Sequence, residues 1–224
     1  MLTRIRNADL YAPEPLGIGQ LLLGGGKILH AGPEIADVPA SLLAEDFDAE
    51  GAALVPGFID AHVHLTGGGG EDGFSTQAPP VPLSQFTAFG VTSVVGLLGT
   101  DDETRSTASL VARARALREE GLSAWCWTGG YHVPPTTLTG SVRSDIVNID
   151  CVIGLGELAI SDHRSSQPTL DELARLASEA HVAGLIARKA GVVHLHLGDG
   201  ARGLETVSYT HLTLPTTGSW GCCG

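Results

Sequence analysis

The sequence predicts an α/β fold, a parallel sheet covered by helices and preceded by a small β unit. Three observations carry that reading. From residue 58 onward apolar runs alternate with helical stretches, whereas the preceding 55 or so residues hold only short β-like runs. Glycine supplies 30 of 224 residues, above a usual ~7%, and clusters after apolar runs, where strands give way to tight turns.

Taken in order, Leu2 to Leu10 and Ile18 to Leu23 read as strands, and a Gly24-Gly25-Gly26 turn returns the chain as a hairpin through Lys27 to Ala31. Residues 1–56 form a small N-terminal β domain on this reading, too short to bury a core alone. After Val55-Pro56-Gly57, strands are expected at Phe58 to Leu65, Val91 to Leu98, Ala124 to Tyr131, Val152 to Ile160 and Val192 to Leu197. Helices are expected between them, at Leu83 to Phe89, Thr107 to Glu120, Ser144 to Asp150 and Thr169 to Ala183, with Arg113, Arg115 and Arg118 on a solvated side of the second. Repeated β-then-α units imply parallel strands with right-handed crossovers. An open doubly wound sheet and a (β/α) barrel both remain open at this point, and each places polar residues at the C-terminal strand ends. Those ends read His62-Val63-His64, Gly99-Thr100-Asp101, Tyr131-His132, Glu157 followed by Ser161 to Arg164, and His196-Leu197-Gly198-Asp199.

Composition narrows the function. Thirteen Lys and Arg against 25 Asp and Glu leave a net charge of −12, and no basic run offers phosphates a surface, so no nucleic-acid partner is expected. No apolar stretch reaches the ~20 residues of a membrane span, and Arg4, Arg6 and Asp9 stand where a signal peptide would be apolar. A cytoplasmic protein without a membrane partner is expected. Cys126 and Cys151 are isolated and Cys222 and Cys223 adjacent, which matches neither a disulfide framework nor a CxxC metal site.

His62 and His64 lie two apart on a predicted strand, so their imidazoles share a face and could hold one metal ion. An isolated pair of this kind is more often a hydrogen-bonded pair on a partly wet strand. The flanking residues decide between these. Val55-Pro56-Gly57-Phe58-Ile59-Asp60-Ala61-His62-Val63-His64-Leu65 resembles the first-strand signature of the amidohydrolase superfamily. The segments Thr66 to Glu71, Gly96 to Asp101, Thr128 to Pro134, Ala159 to Ser165 and His196 to Asp199 then resemble, in the same order, the isoaspartyl dipeptidase (β-aspartyl peptidase) family. The likeness runs from about residue 1 to Leu204.

The resemblance implies a partial (β/α)8 barrel of about five strands over residues 57–204, and a cofactor of two zinc ions. His62 and His64 match ligands of the first zinc and His196 a ligand of the second. Glu157 falls where better-known members carry a bridging carbamylated lysine and others a glutamate; its shorter reach requires the metals to sit nearer its strand, or the backbone to bring it closer. Glu71 matches the acceptor of the substrate's α-amino group, with Thr100 beside it; Tyr131 matches the phenol that stabilises the oxyanion, and Arg164 a guanidinium that binds a substrate carboxylate. Taken singly, each has a plainer role: a turn cap for Glu71 and Thr100, a barrel rim for Tyr131, an ion pair for Arg164, a barrel-mouth acid for Glu157. The implied reaction is hydrolysis of β-aspartyl dipeptides by zinc-activated water, the substrate partner being a small peptide and the complete enzyme a homo-oligomer. Another metal-dependent amidohydrolase, a cyclic amidase or N-acyl-amino-acid deacylase, would share the three histidines without needing Glu71, Tyr131 and Arg164 together. A non-catalytic fragment that binds one metal or a partner is the third reading.

Other patterns carry less. Ser161-Asp162-His163 spells triad letters, but three consecutive residues cannot align as nucleophile, base and orienter. No Lys-Ser/Thr follows Gly67 to Gly70, so a phosphate cradle is not expected. His194 lies deeper along its strand than His196 and is expected as a packed or hydrogen-bonded histidine, and Trp125 and Trp127 as packing. Residues 205–224 depart from the family pattern and resemble translated adapter or vector sequence. The family's second-metal histidine, a further arginine and the general-base aspartate have no counterparts, and His211 is not aimed at the other ligands by any strand pattern. The chain is therefore expected to be poorly folded and inactive by itself.

Overall fold

The computed structural model describes residues 1–33 and 38–211, with the side chains of 209–211 left aside. The chain divides into two units, Met1–Gly57 and Phe58–Gly224.

In the first unit, β1 (Leu2–Tyr11), β2 (Pro15–Gly24) and β3 (Lys27–Gly32) form an antiparallel meander. The sequence reading missed two further strands, β4 (Leu43–Asp48) and β5 (Ala53–Leu54), which pair in parallel with β1. Their signal is weak because β4 reads Leu-Ala-Glu-Asp-Phe-Asp, with acids where a buried strand would be apolar. Two of the three acids have partners across the ladder: Arg4 and Arg6 pair with Asp46, and Arg6 also with Asp48. Among the described residues of this unit, Ala8, Leu10 and Leu22 are the buried apolar ones.

The second unit is a five-stranded parallel sheet in the order β10-β9-β8-β7-β6, formed by β6 (Phe58–Val63), β7 (Val91–Gly96), β8 (Ser123–Thr128), β9 (Val152–Ile160) and β10 (Val192–Leu197). Each strand pairs with the next one in sequence. A doubly wound sheet would reverse order at a switch point, so the topology selects the barrel type. The sheet is curled: His62 on β6 and His194 on β10, from its two edges, meet at 2.9 Å. The chain thus comprises a half-barrel of (β/α) units and a separate small β unit.

Helices α1 (Leu83–Ala88), α2 (Thr107–Glu119), α3 (Val142–Asn148) and α4 (Leu170–Ala187) supply the crossovers. Capping boxes start α2 at Ser106 with Ser109 and α4 at Thr169 with Glu172. Leu110, Val111, Ala114 and Leu117 of α2 recur at helical spacing and are buried against Val94, Ala124, Cys126 and Val152 of the sheet. Burying the Leu110 and Leu117 side chains contributes about 1.5–3 kcal/mol each. The expectation for the α2 arginines holds for Arg115, which is half exposed, and needs correcting for the other two. Arg113 donates to the Val81 carbonyl and Arg118 to that of Ala124, so their stems cover the barrel rim. Cys126 and Cys151 are buried free thiols with sulfurs 3.9 Å apart.

Glu205–His211 forms a fifth helix, α5, in which Thr206 is buried and Val207 packs against the main core. Residues 212–224, with Cys222 and Cys223, and the His211 side chain lie outside the described residues. Among the described residues no helix is long and apolar enough to cross a membrane.

Candidate metal centre and substrate cleft

The strands end earlier than the apolar runs suggest. β6 stops at Val63, β7 at Gly96 and β8 at Thr128, so His64, Thr100 and Tyr131 stand in the loops just beyond. Those loops are the C-terminal face of the half-barrel, where such folds carry their chemistry.

His62, His64 and Glu157 converge there, each offering a ligand atom within 4.8 Å of the others. The two imidazoles meet edge to face with centroids 5.7 Å apart. Glycine permits the approach of His64, since a Cβ on Gly99 would lie 2.6 Å from its Cε1. Burial pulls the His64 imidazole below its ordinary pKa, against the attraction of Glu157, and so favours the neutral ring a metal requires.

Glu157, on β9, is only 1% exposed. Its Oε1 lies 2.8 Å from His196 Nδ1 and its Oε2 lies 3.2 Å from His62 Nε2. The glutamate therefore stands between the first histidine pair and His196. Its Oε2 nevertheless has no hydrogen-bond donor. A buried carboxylate oxygen left bare is costly, and facing imidazole nitrogens and a carboxylate are a donor set suited to zinc. On that observation the residues fit a metal centre.

His196 joins the cluster by another route. Its Nε2 lies 3.0 Å from Asp162 Oδ2, and its Nδ1 lies 3.0 Å from the Tyr131 hydroxyl. Burial, reinforced by the Glu157 charge, raises the Tyr131 pKa above its ordinary value, so the phenol keeps its proton as a donor. Arg164 lies over the Tyr131 ring at 5.4 Å, binds Asp162 through two nitrogens at 2.9 and 2.8 Å, and reaches Glu71 at 2.7 Å. Hydrogen bonding from Arg164 holds Asp162 far below the usual carboxylate range and lowers Glu71 as well. Thr100 donates to Glu71 at 3.0 Å. Glu71, Thr100, Tyr131 and His64 border one cleft with the Gly67–Gly69 loop and Arg105.

All eight residues singled out from the sequence thus lie in one connected cluster. Sequence reasoning missed Asp162, which anchors both Arg164 and His196 but had been considered only as a triad letter. It also missed Arg105, which donates to the carbonyls of Gly68 and Gly69 and pairs with Asp101, tying down the glycine loop. Ser161 donates to the Gly200 carbonyl, so the rejected triad is not assembled. His132 pairs with buried Asp102 at 2.9 Å. His194 is hydrogen-bonded, as expected, and its burial keeps the pKa below the ordinary value.

Comparison with known proteins places this geometry. The chain superimposes with a TM-score of 0.90 on β-aspartyl dipeptidase from Fervidobacterium islandicum AW-1 in complex with β-Asp-Leu dipeptide, at 46% identity over 96% of this chain and 56% of that one. A second structure of the same dipeptidase gives 0.89 and 47%, covering 96% of this chain and 59% of that one. Among curated proteins, imidazolonepropionase of Salinispora arenicola is 35% identical over 138 residues, 59% of this chain and 34% of that protein. These relatives are hydrolases of the amidohydrolase superfamily. The chain spans little more than half the length of the dipeptidases and about a third of the curated relative. No family model matches it.

Proposed function

We propose that the protein hydrolyses β-aspartyl (isoaspartyl) dipeptides at a zinc centre held by His62, His64, Glu157 and His196. The observation that carries the reading is the charged set beside the metal cluster, Glu71 and Arg164 in contact at 2.7 Å with Thr100 and Tyr131 around them. A β-aspartyl dipeptide presents an ammonium and carboxylates on either side of its isopeptide bond. Glu71 accepts from the ammonium, and Thr100 fixes the orientation of its carboxylate. Arg164, held by Asp162, offers its guanidinium fork to a substrate carboxylate, so substrate exchanges the internal ion pair for two external ones. Tyr131, held protonated, donates to the carbonyl oxygen as it gains charge. Zinc, when bound, supplies Lewis acidity and a hydroxide nucleophile at neutral pH.

The resemblance to a dipeptidase crystallised with β-Asp-Leu supports the substrate class. The imidazolonepropionase matches favour a second reading, hydrolysis of a cyclic amide by the same histidines. Turnover of β-Asp-Leu, α-Asp-Leu and hydantoin by the zinc-loaded full-length protein separates the two. Cleavage confined to β-Asp-Leu is expected; hydantoin opening without dipeptide cleavage would assign the second reading.

A further inference from the structure

His194 touches the cluster at His62, yet neither the proposed metal set nor the substrate contacts employ it. It stands on β10, at the opposite edge of the sheet from His62, and is held on three sides. Its ring lies parallel to the Trp127 indole, at 4° with centroids 5.3 Å apart. Trp127 is itself pinned, its Nε1–H donating at 3.2 Å to the carbonyl of Ala61, the residue before His62. Behind the ring, Gly156 leaves the needed space, because a Cβ there would lie 2.7 Å from His194 Cβ and 2.8 Å from its carbonyl oxygen. The remaining side presents Nε2 to His62 Nδ1 at 2.9 Å.

His62 Nε2, at the other end of the ring, faces Glu157 Oε2 at 3.2 Å. A histidine ligand binds a metal through a lone pair, so with Nε2 as the ligating nitrogen the ring's proton sits on Nδ1, the nitrogen that faces His194 Nε2.

We propose that His194 is a positioning residue which, by accepting the Nδ1–H of His62, fixes that imidazole in the tautomer and orientation that turn Nε2 toward Glu157 and His64. The inference rests on the metal-centre reading above and adds a residue to it. Histidine ligands ordinarily donate their second nitrogen to a carboxylate or carbonyl, and loss of such a partner costs about 10–100-fold in metal affinity. Here a neutral imidazole clamped on an indole takes that place.

The test compares the full chain with its His194→Gln and His194→Leu variants. Zinc affinity is measured by chelator competition, the absorption of bound cobalt(II) reports coordination, and circular dichroism reports folding. The glutamine oxygen preserves an acceptor near the position of Nε2, so His194→Gln should bind zinc within about threefold of wild type while His194→Leu weakens it about 10–100-fold with the cobalt spectrum unchanged in type. Nitrogen-15 NMR of the unsubstituted protein, which does not depend on a variant folding, should show His62 protonated at Nδ1. Equal zinc binding by all three proteins overturns the inference alone. So does equal loss in both variants with an altered cobalt spectrum, which makes His194 a ligand, or a His62 protonated at Nε2. Absence of zinc and cobalt binding by wild type overturns the metal-centre reading and this inference with it.

Discussion

Tyr131 stands where the proposed metal-ligating and substrate-binding halves of the cluster meet, its hydroxyl on His196 and its ring under Arg164. Because burial and Glu157 keep the phenol protonated, Tyr131→Phe removes a donor without leaving a charge unpaired. Steady-state kinetics on β-Asp-Leu should show kcat reduced roughly a hundred- to a thousandfold with KM little changed. A large rise in KM alone would make Tyr131 a binding contact. Asp162 gives a pH prediction. Its folded-state pKa is depressed, chiefly by hydrogen bonds from Arg164, so the stability it contributes is complete above the unfolded aspartate value of about 3.9 and is lost as pH falls toward the folded one. Urea unfolding should find Asp162→Asn less stable than wild type by about 2 kcal/mol at pH 6, with a smaller gap at pH 3. A gap that stays constant with pH would remove the carboxylate's charge from the explanation. At this scale spacing alone pointed to His62 and His64, whereas Glu157, Glu71, Thr100, Tyr131, Arg164 and His196 were singled out by family likeness. Asp162 and Trp127 act on partners that no local pattern reveals; the His62–His194 contact joins residues 132 apart in sequence.

Among the elements, α4 shows a start written plainly in the sequence. Thr169 accepts from the Glu172 amide, and Glu172 returns a bond to the Thr169 amide at 2.8 Å. Thr169→Ala should destabilise the chain by about 1 kcal/mol in urea unfolding; no loss would mean that packing alone fixes the start of α4. The end was less legible. The helix runs four residues beyond the expected Ala183 to Ala187 and stops where Arg188 adopts a left-handed conformation, φ 54°, without the glycine that usually marks such a stop. Strand ends were misjudged in the opposite direction on β6, β7 and β8, each of which stops before its expected end, because apolar residues such as Leu65, Leu97 and Leu98 continue the run while packing in the core from loop positions. Hydrophobic pattern reports burial, and burial continues where the hydrogen-bond ladder has stopped.

For the molecule as a whole, β6 and β10 each pair on one side only among the described residues. Phe58 and Ile59 on β6 are 59% and 74% exposed, and Val192 and Leu197 on β10 are each 44% exposed. Unpaired strand edges flanked by apolar side chains template association with other chains. Light scattering after size exclusion should therefore find this 224-residue chain self-associating as concentration rises, with Ile59→Lys reducing the effect. A monodisperse monomer with a sharp cooperative melt would contradict it.

What the sequence determined by itself is the alternation of strand and helix, the helix starts at Ser106 and Thr169, and the gathering of polar residues at strand ends. These follow from local causes: periodicity, capping geometry and turn chemistry act over a few residues. The tertiary structure alone decided the parallel pairing of β4 and β5 with β1, the half-barrel over the doubly wound sheet, and the bare Oε2 of Glu157 facing His62. It also set His194 between Trp127 and His62. Each of these depends on strand order and sheet curvature, which bring together side chains from distant parts of the chain and which no short window of residues encodes.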